Sequence, residues 1–146
     1  MYENPASTVD IAVLDRERIV LIKRRKEPYK GRWALPGGFV EYGETVEQAA
    51  AREAFEETSM RVELEAILGV YSAPDRDPRG HVITTAFVAR PLGGEPRGRD
   101  DAEIASWVNL ESIGTDDMAF DHGLIVGDLK MWLEQNSTFW STKTRQ

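Results

Sequence analysis

The chain has 146 residues, 41% hydrophobic and 29% charged, which is typical of one soluble globular domain with its own core. Its 25 acidic residues outnumber 18 basic ones and give a net charge of −7, which argues against a nucleic-acid partner because such binding relies on neutralising phosphates. The absence of cysteine excludes disulfides, thiolate zinc sites and a cysteine nucleophile.

The N-terminus and the rest of the chain lack targeting and membrane signals. No run approaches the roughly 18 apolar residues of a membrane span, and residues 1–10 have neither the basic nor the apolar region of a signal peptide. We therefore expect a cytoplasmic protein without a membrane partner. His81 and His122 stand far apart in the sequence, so any metal is expected to be held by oxygen, as Mg²⁺ or Mn²⁺ would be.

The first half of the chain predicts a strand pair followed by a helix. Residues 7–15 and 18–24 are apolar, β-branched runs separated by two polar residues. A basic loop follows and ends at Gly37 and Gly38. Thr45 and Gln48 have the spacing of a capping box, and alanines at 49, 50, 51 and 54 favour a helix that we expect to end near Ser59.

The second half predicts more strands and a closing helix. Residues 60–72 indicate one or two strands with a bulge at Gly69, and residues 81–91 indicate a strand closed by Pro91. Loops are expected at 73–80 and 92–103, a short strand at 106–110, and a helix over 120–135. A polar tail, 136–146, completes one predicted domain, 1–146, of mixed α and β structure.

The predicted helix changes from apolar to acidic on one face. At 3.6 residues per turn, the stripe of Val46, Ala49 and Ala50 continues into three carboxylates, Glu53, Glu56 and Glu57. Ala51 and Phe55 lie on the opposite side, which we therefore also expect to be partly buried. Two interpretations follow: a solvated acidic face, or a site for a divalent cation that offsets the repulsion between carboxylates.

The order of residues around the helix favours the cation site. Gly38, five residues, Glu44, seven residues, and then Arg52, Glu53, Ala54, Glu56, Glu57 and Met60 resemble the Nudix box. That box is the signature of hydrolases acting on a nucleoside diphosphate linked to another group. Ser59 replaces the last glycine of the pattern, a position that suits a left-handed residue at a helix end.

The resemblance covers about residues 8–133 and implies an α/β fold: an α/β/α sandwich with a mixed β-sheet and a loop-helix-loop catalytic motif. It also implies the metal ligands, namely the carbonyl of Gly38 and the side chains of Glu53, Glu56 and Glu57. Arg52 would orient the glutamates, and Glu44 would tie the loop to the helix. The general base is left open between Glu53 and a later loop that contains Asp100, Asp101 and Glu103, of which we favour Glu103.

A second stretch, Tyr71 to His81, is similar to the segment that follows the box in ADP-ribose pyrophosphatases. We expect Arg76, Arg79 and His81 to bind substrate, with Arg25 as a further phosphate contact. A solubilising loop is the alternative for the two loop arginines, and a strand end for His81. The resemblance also implies a homodimer and a small-molecule partner, a nucleoside diphosphate derivative.

The predicted reaction is hydrolysis of ADP-ribose to AMP and ribose 5-phosphate with Mg²⁺ or Mn²⁺. One alternative is a pyrophosphohydrolase of nucleoside triphosphates or oxidised nucleotides. Another is a non-catalytic ADP-ribose sensor, which we disfavour because the box carboxylates are complete and no DNA-binding segment is visible. A messenger-RNA decapping role is disfavoured by the acidic charge balance.

Overall fold

A computed structural model describes residues 3–99 and 102–140, with Glu103 and Trp140 described by their backbone alone. The described residues form eight strands and two α-helices. The strands are β1 Ala6–Asp15, β2 Arg18–Arg24, β3 Trp33–Ala34, β4 Gly37–Phe39, β5 Arg61–Tyr71, β6 Val82–Gly93, β7 Ala102–Asn109 and β8 Phe139–Trp140. The helices are α1 Val46–Thr58 and α2 His122–Gln135, with short 3-10 turns at Leu110–Ser112 and Thr115–Asp117.

The strands form one mixed sheet in the order β3-β2-β1-β6-β5-β8, with β4 also paired to β1 and β7 to β2. The β1–β6 and β5–β8 pairs are parallel, and the other pairs are antiparallel. The predicted strand pair is thus confirmed, because β1 and β2 are antiparallel neighbours with Asp15 opposite Arg18.

Side chains of the central strands alternate between two cores, one on each face of the sheet. On one face, Ile11 and Val13 pack with Ala49 and Ala50 of α1. On the other face, Ala12 packs with Ile125 of α2 and its neighbours. The fold is therefore the predicted α/β/α sandwich, with α1 on one face and α2 on the other. None of the described helices is long and apolar enough to span a membrane.

Two predicted boundaries were wrong. β6 continues past Pro91 to Gly93, because its pairing with β1 ends at Ala89 and the remaining edge tolerates a residue without an N–H. β7 begins at Ala102, four residues before the predicted start at Ser106, because it pairs with β2 as far as Arg24. Within the polar tail, Phe139 and Trp140 form β8 and pair with β5 at Gly69 and Val70.

Candidate active site

The start of α1 is fixed by the predicted capping box. The Gln48 N–H donates to Thr45 Oγ1 at 3.0 Å, and the Thr45 N–H donates to Gln48 Oε1 at 2.9 Å. The helix ends at Ser59, whose φ of 65° places it in the left-handed conformation that the family pattern meets with glycine. Both ends of the helix that bears the acids are therefore set by local sequence.

Gly38 lies against the carboxylate of Glu53. A Cβ atom on Gly38 would stand 2.5 Å from the Glu53 carboxyl carbon and 2.6 Å from both of its oxygens. Any other residue at this position would push the carboxylate away. β4, which carries Gly38, is held in place by its pairing with β1. The fold thus brings together two of the four predicted metal ligands.

Arg52 connects the loop before α1 with the acidic face of the helix. Its Nε and Nη2 donate to the two carboxylate oxygens of Glu44 at 2.7 and 2.9 Å. Its Nη1 donates to Glu53 at 2.7 Å and to Glu56 at 3.0 Å. Nη2 also donates to the Phe39 carbonyl at 3.0 Å. Arg52 therefore orients the glutamates and Glu44 joins the loop to the helix, as the sequence predicts.

These contacts shift the pKa values in different directions. The hydrogen bonds from Arg52 and from the Glu41 N–H lower the pKa of Glu44 to about 2. The bond to Glu44 raises the pKa of Arg52 further above its usual range. The pKa of Glu53 is raised because desolvation by burial outweighs its contact with Arg52. Glu53 thus binds a proton more readily than an exposed carboxylate does.

The acidic face of α1 is only partly open to solvent. Glu57 is 8% exposed, whereas the side chains of Glu53 and Glu56 are 14% and 41% exposed. The opposite side was expected to be partly buried, and that expectation was wrong: Ala51 is exposed and Phe55 is 40% exposed. The buried side of this helix is therefore the one that carries glutamates.

The donor set of this face fits a hard divalent cation. It offers carboxylate oxygens and a backbone carbonyl, which are the ligands that Mg²⁺ and Mn²⁺ prefer. The close approach of Gly38 to Glu53 leaves no side chain between these donors. Within the described ranges, no three acidic or histidine side chains converge to hold an ion as they stand. Glu53 and Glu56 instead contact Arg52, which would compete with a cation for them.

A small cavity, the inner cavity, lies between β1, β4 and the end of α1. Its volume is about 60 Å³, and its walls include Gly38, Glu57, Arg24 and Phe120. Arg76, Asp77 and Arg79 approach it from the loop that follows β5. The fold therefore places box residues and the predicted substrate-binding loop on the same cavity.

The two loop arginines differ in how far they are committed to protein partners. Arg76 is buried, and its Nε and Nη2 donate to the two carboxylate oxygens of Asp121 at 2.8 and 2.6 Å. Arg79 donates to both oxygens of Asp77 at 3.1 and 2.8 Å, but its side chain is 49% exposed. Of the two, Arg79 is the one accessible to a ligand.

Asp10 and His122, in the wall of the inner cavity, were not among the predicted site residues. Asp10 accepts a bond from the Thr84 hydroxyl at 2.8 Å and lies 3.3 Å from His122 Nε2 and 3.8 Å from Arg76 Nη2. His122 Nδ1 accepts the Leu35 N–H at 3.0 Å. A charged residue inside the apolar run of β1 was a usable signal for Asp10, whereas nothing in the sequence indicated Asp121 or His122.

The other predicted site residues lie around this region. Arg25 is exposed and donates to the Ala102 carbonyl at 3.3 Å, whereas its neighbour Arg24 lines the inner cavity. His81 Nε2 lies 3.0 Å from the Ser72 carbonyl oxygen. Glu103 lies in β7 rather than in the predicted loop, and Asp100 and Asp101 fall outside the described residues.

Comparison with known proteins identifies the family model and the relatives that this chain matches. Residues 4–129 match the model of the NUDIX domain. The chain is 48% identical over 132 residues to an ADP-ribose pyrophosphatase of Methanocaldococcus jannaschii, covering 90% of this chain and 77% of that protein. It is 37% identical over 101 residues to a putative 8-oxo-dGTP diphosphatase of Bacillus subtilis, covering 68% and 62%. It is 35% identical over 129 residues to an ADPR responsive transcriptional repressor of Acinetobacter baylyi, covering 83% and 51%.

Solved structures give the same pattern. A NUDIX hydrolase of Nitrosomonas europaea superposes with a TM-score of 0.82 at 30% identity, covering 96% of this chain and 79% of that one. A bifunctional NMN adenylyltransferase/ADP ribose pyrophosphatase of Francisella tularensis, complexed with AMP and a Mn ion, superposes with a TM-score of 0.79 at 31% identity. This chain is covered to 93% and the Francisella chain to 43%.

Proposed function

The chain belongs to the NUDIX family and is a Nudix pyrophosphatase, and we propose that the bond it hydrolyses is the pyrophosphate of ADP-ribose. The products are AMP and ribose 5-phosphate. The observation that carries this proposal is the 48% identity to an ADP-ribose pyrophosphatase across 90% of the chain. The contact of the inner cavity with both the box and the Tyr71–His81 loop supports it.

The reaction adds water across a phosphoric anhydride. Water attacks one phosphorus, the bond from that phosphorus to the bridging oxygen breaks, and the bridging oxygen leaves on the other phosphate. A protein carboxylate accepts the proton of the attacking water. Glu53, on the acidic face of α1, is one candidate for this role. Glu103 remains the alternative base.

Magnesium or manganese is the proposed cofactor, held by the Gly38 carbonyl, Glu53, Glu56 and Glu57. When bound, such an ion lowers the pKa of water and offsets the negative charge of the diphosphate. Arg52 contacts both Glu53 and Glu56, so a bound cation would take its place at some of these oxygens. The Mn ion in the Francisella structure is in accord with this choice.

The test is product analysis with matched variants of one helix. Wild-type protein with Mg²⁺ is expected to release AMP and ribose 5-phosphate from ADP-ribose. Glu57→Gln should lose at least 100-fold in kcat, on the order of a lost charge-stabilising contact. Glu47→Gln, on the exposed side of the first turn of α1, should retain activity. Equal activity of both variants would contradict the assignment.

A second candidate function follows from the match to a putative 8-oxo-dGTP diphosphatase. Faster release of pyrophosphate from 8-oxo-dGTP than of AMP from ADP-ribose would favour it. Because one relative is an ADPR responsive transcriptional repressor, a non-catalytic ADP-ribose sensor is a further alternative. Tight ADP-ribose binding with no turnover of any substrate would favour the sensor. The homodimer and the cytoplasmic location stay predictions.

A further inference from the structure

A second, larger cavity adjoins the inner one. This outer cavity lies between the segment before β1 and the start of β6, and has a volume of about 430 Å³. Both cavities have Phe39, Asp77, Arg79 and Val82 in their walls. They are therefore two parts of one cleft, and the two parts meet at these four residues.

The volumes of the two cavities indicate which part of a substrate each can hold. At about 60 Å³ the inner cavity is far too small for a nucleoside. The outer cavity, at about 430 Å³, falls within the range of roughly 300–1,000 Å³ that is usual for small-molecule sites. Because the inner cavity contains Gly38 and Glu57 of the box, a phosphate of the substrate is expected to reach it and a bulky end group is expected outside it.

The wall of the outer cavity offers an aromatic face. The Phe39 side chain is 47% exposed although it directly follows Gly38 in the chain. Its backbone is fixed by pairing with Thr8 and by the bond from Arg52 to its carbonyl. The backbone that carries the ring is therefore fixed next to Gly38, while the ring itself remains open to a ligand.

Arg79 lies over this ring where the two parts of the cleft meet. Its guanidinium carbon is 5.6 Å from the centre of the Phe39 ring and 5.7 Å from that of Phe120. Asp77 holds the guanidinium through two hydrogen bonds. A planar, cationic group above a half-exposed ring is the arrangement in which a nucleobase can stack on the ring while its phosphates approach the cation.

From this geometry we propose that the outer cavity is the nucleobase subsite, in which the adenine of the substrate stacks on Phe39 and Arg79 marks the boundary to the phosphates. Asn4, in the wall of the same cavity, supplies an amide that both donates and accepts hydrogen bonds at the edge of the base. This proposal rests on the proposed function for the choice of an adenine nucleotide. It places the ribose 5-phosphate half of ADP-ribose away from Phe39.

The test compares the two halves of the substrate as separate ligands. Binding of AMP and of ribose 5-phosphate to the full chain with Mg²⁺ is measured by calorimetry for wild type, Phe39→Leu and Phe39→Trp. Loss of the aromatic face should weaken AMP binding by about 5- to 100-fold and leave ribose 5-phosphate binding unchanged. Phe39→Trp should restore AMP binding, which also shows that the position tolerates substitution.

The matched control is Phe55→Leu, the same change at a phenylalanine of similar exposure on the far side of α1. It should leave both affinities unchanged. The proposal is overturned if Phe39→Leu leaves AMP binding intact, weakens ribose 5-phosphate instead, or weakens both ligands equally. It is also overturned if wild type does not bind AMP. Wild type that binds AMP but does not hydrolyse ADP-ribose would count against the proposed function alone.

Discussion

At the scale of single residues, Glu44 and Glu53 share one arginine yet their pKa values move in opposite directions. Glu44 receives two hydrogen bonds from Arg52 and one from a backbone N–H, which lower its pKa to about 2. The side chains of Glu44 and Glu53 are equally exposed, at 14%, but at Glu53 desolvation outweighs the contact with Arg52 and raises the pKa. Glu44 therefore stays ionised and is suited to joining the loop to the helix.

The lowered pKa of Glu44 predicts a loss of stability in acid. Between its usual pKa of 4.5 and the folded value of about 2, the unfolded chain binds more protons at Glu44 than the folded chain does. The stability that Glu44 contributes is thus complete above pH 4.5 and is lost as the pH falls towards 2. At pH 6 the melting temperature of wild type should exceed that of Glu44→Gln. This difference should disappear as the pH falls from 4.5 towards 2. A difference independent of pH would contradict the prediction.

Two bidentate arginine pairs differ in burial and predict different costs of mutation. Arg76 and Asp121 are largely buried, whereas Arg90 and Glu65 form a similar pair on the surface. Arg76→Met should lower the free energy of unfolding by about 3 kcal/mol because it leaves Asp121 and Asp10 without their cation. Arg90→Met should change urea unfolding little. If both variants changed the free energy of unfolding by the same amount, burial of the Arg76–Asp121 pair would not increase its contribution to stability.

At the scale of elements, α1 was predicted well because its signals are local. The capping box, the alanines and the order of the glutamates all lie within 23 residues, from Gly38 to Met60. The Asp10–Thr84 and Arg76–Asp121 bonds join residues 74 and 45 positions apart. No periodicity or motif spacing records such pairs, because they form only when the sheet brings β1, β6 and the start of α2 together.

The errors at Pro91 and Phe55 also arise because the outcome depends on contacts between distant parts of the chain. Pro91 was expected to end a strand, but whether proline ends a strand depends on which neighbour needs its N–H, and that is a property of the sheet. The side of α1 that bears Ala51 and Phe55 was expected to be partly buried. Its ring is exposed and is instead approached by the Arg99 guanidinium, 5.0 Å from the ring centre.

The end of α1 predicts a stabilising change. Ser59 has a φ of 65°, which glycine adopts without the steric cost that other residues have there. Ser59→Gly should raise the free energy of unfolding by about 1 kcal/mol, measured by urea denaturation, with ADP-ribose hydrolysis unchanged. Ser59→Ala serves as the control, because it removes the hydroxyl but keeps the Cβ atom. An equal gain in both variants would point to the hydroxyl rather than the backbone.

At the scale of the whole molecule, the proposed metal site on α1 predicts that folding is coupled to metal binding. A cation that binds only the folded chain stabilises it by about 2.7 kcal/mol at a hundred times its Kd. Mn²⁺ or Mg²⁺ should therefore raise the melting temperature of wild type and of Glu47→Gln, and EDTA should reverse the rise. Glu53→Gln and Glu57→Gln should respond weakly. A full response in both would place the cation elsewhere.

Several elements of the fold meet at the cleft that contains the candidate active site. β1 and β4 hold Gly38 against the box helix, while the loop after β5 brings Arg79 to the same cleft. The box sequence was enough to predict the helix and its acids. The two-part cleft was not predictable, since Phe39, Arg79 and the segment before β1 meet only in three dimensions.

The most direct test of the account is a competition between ADP-ribose and 8-oxo-dGTP in one vessel with Mg²⁺. The relative rates of consumption give the ratio of the two kcat/KM values, which is the measure of specificity. We expect ADP-ribose to be consumed first, with AMP and ribose 5-phosphate as products. Consumption of 8-oxo-dGTP first would contradict the substrate assignment but not the proposed metal site on α1.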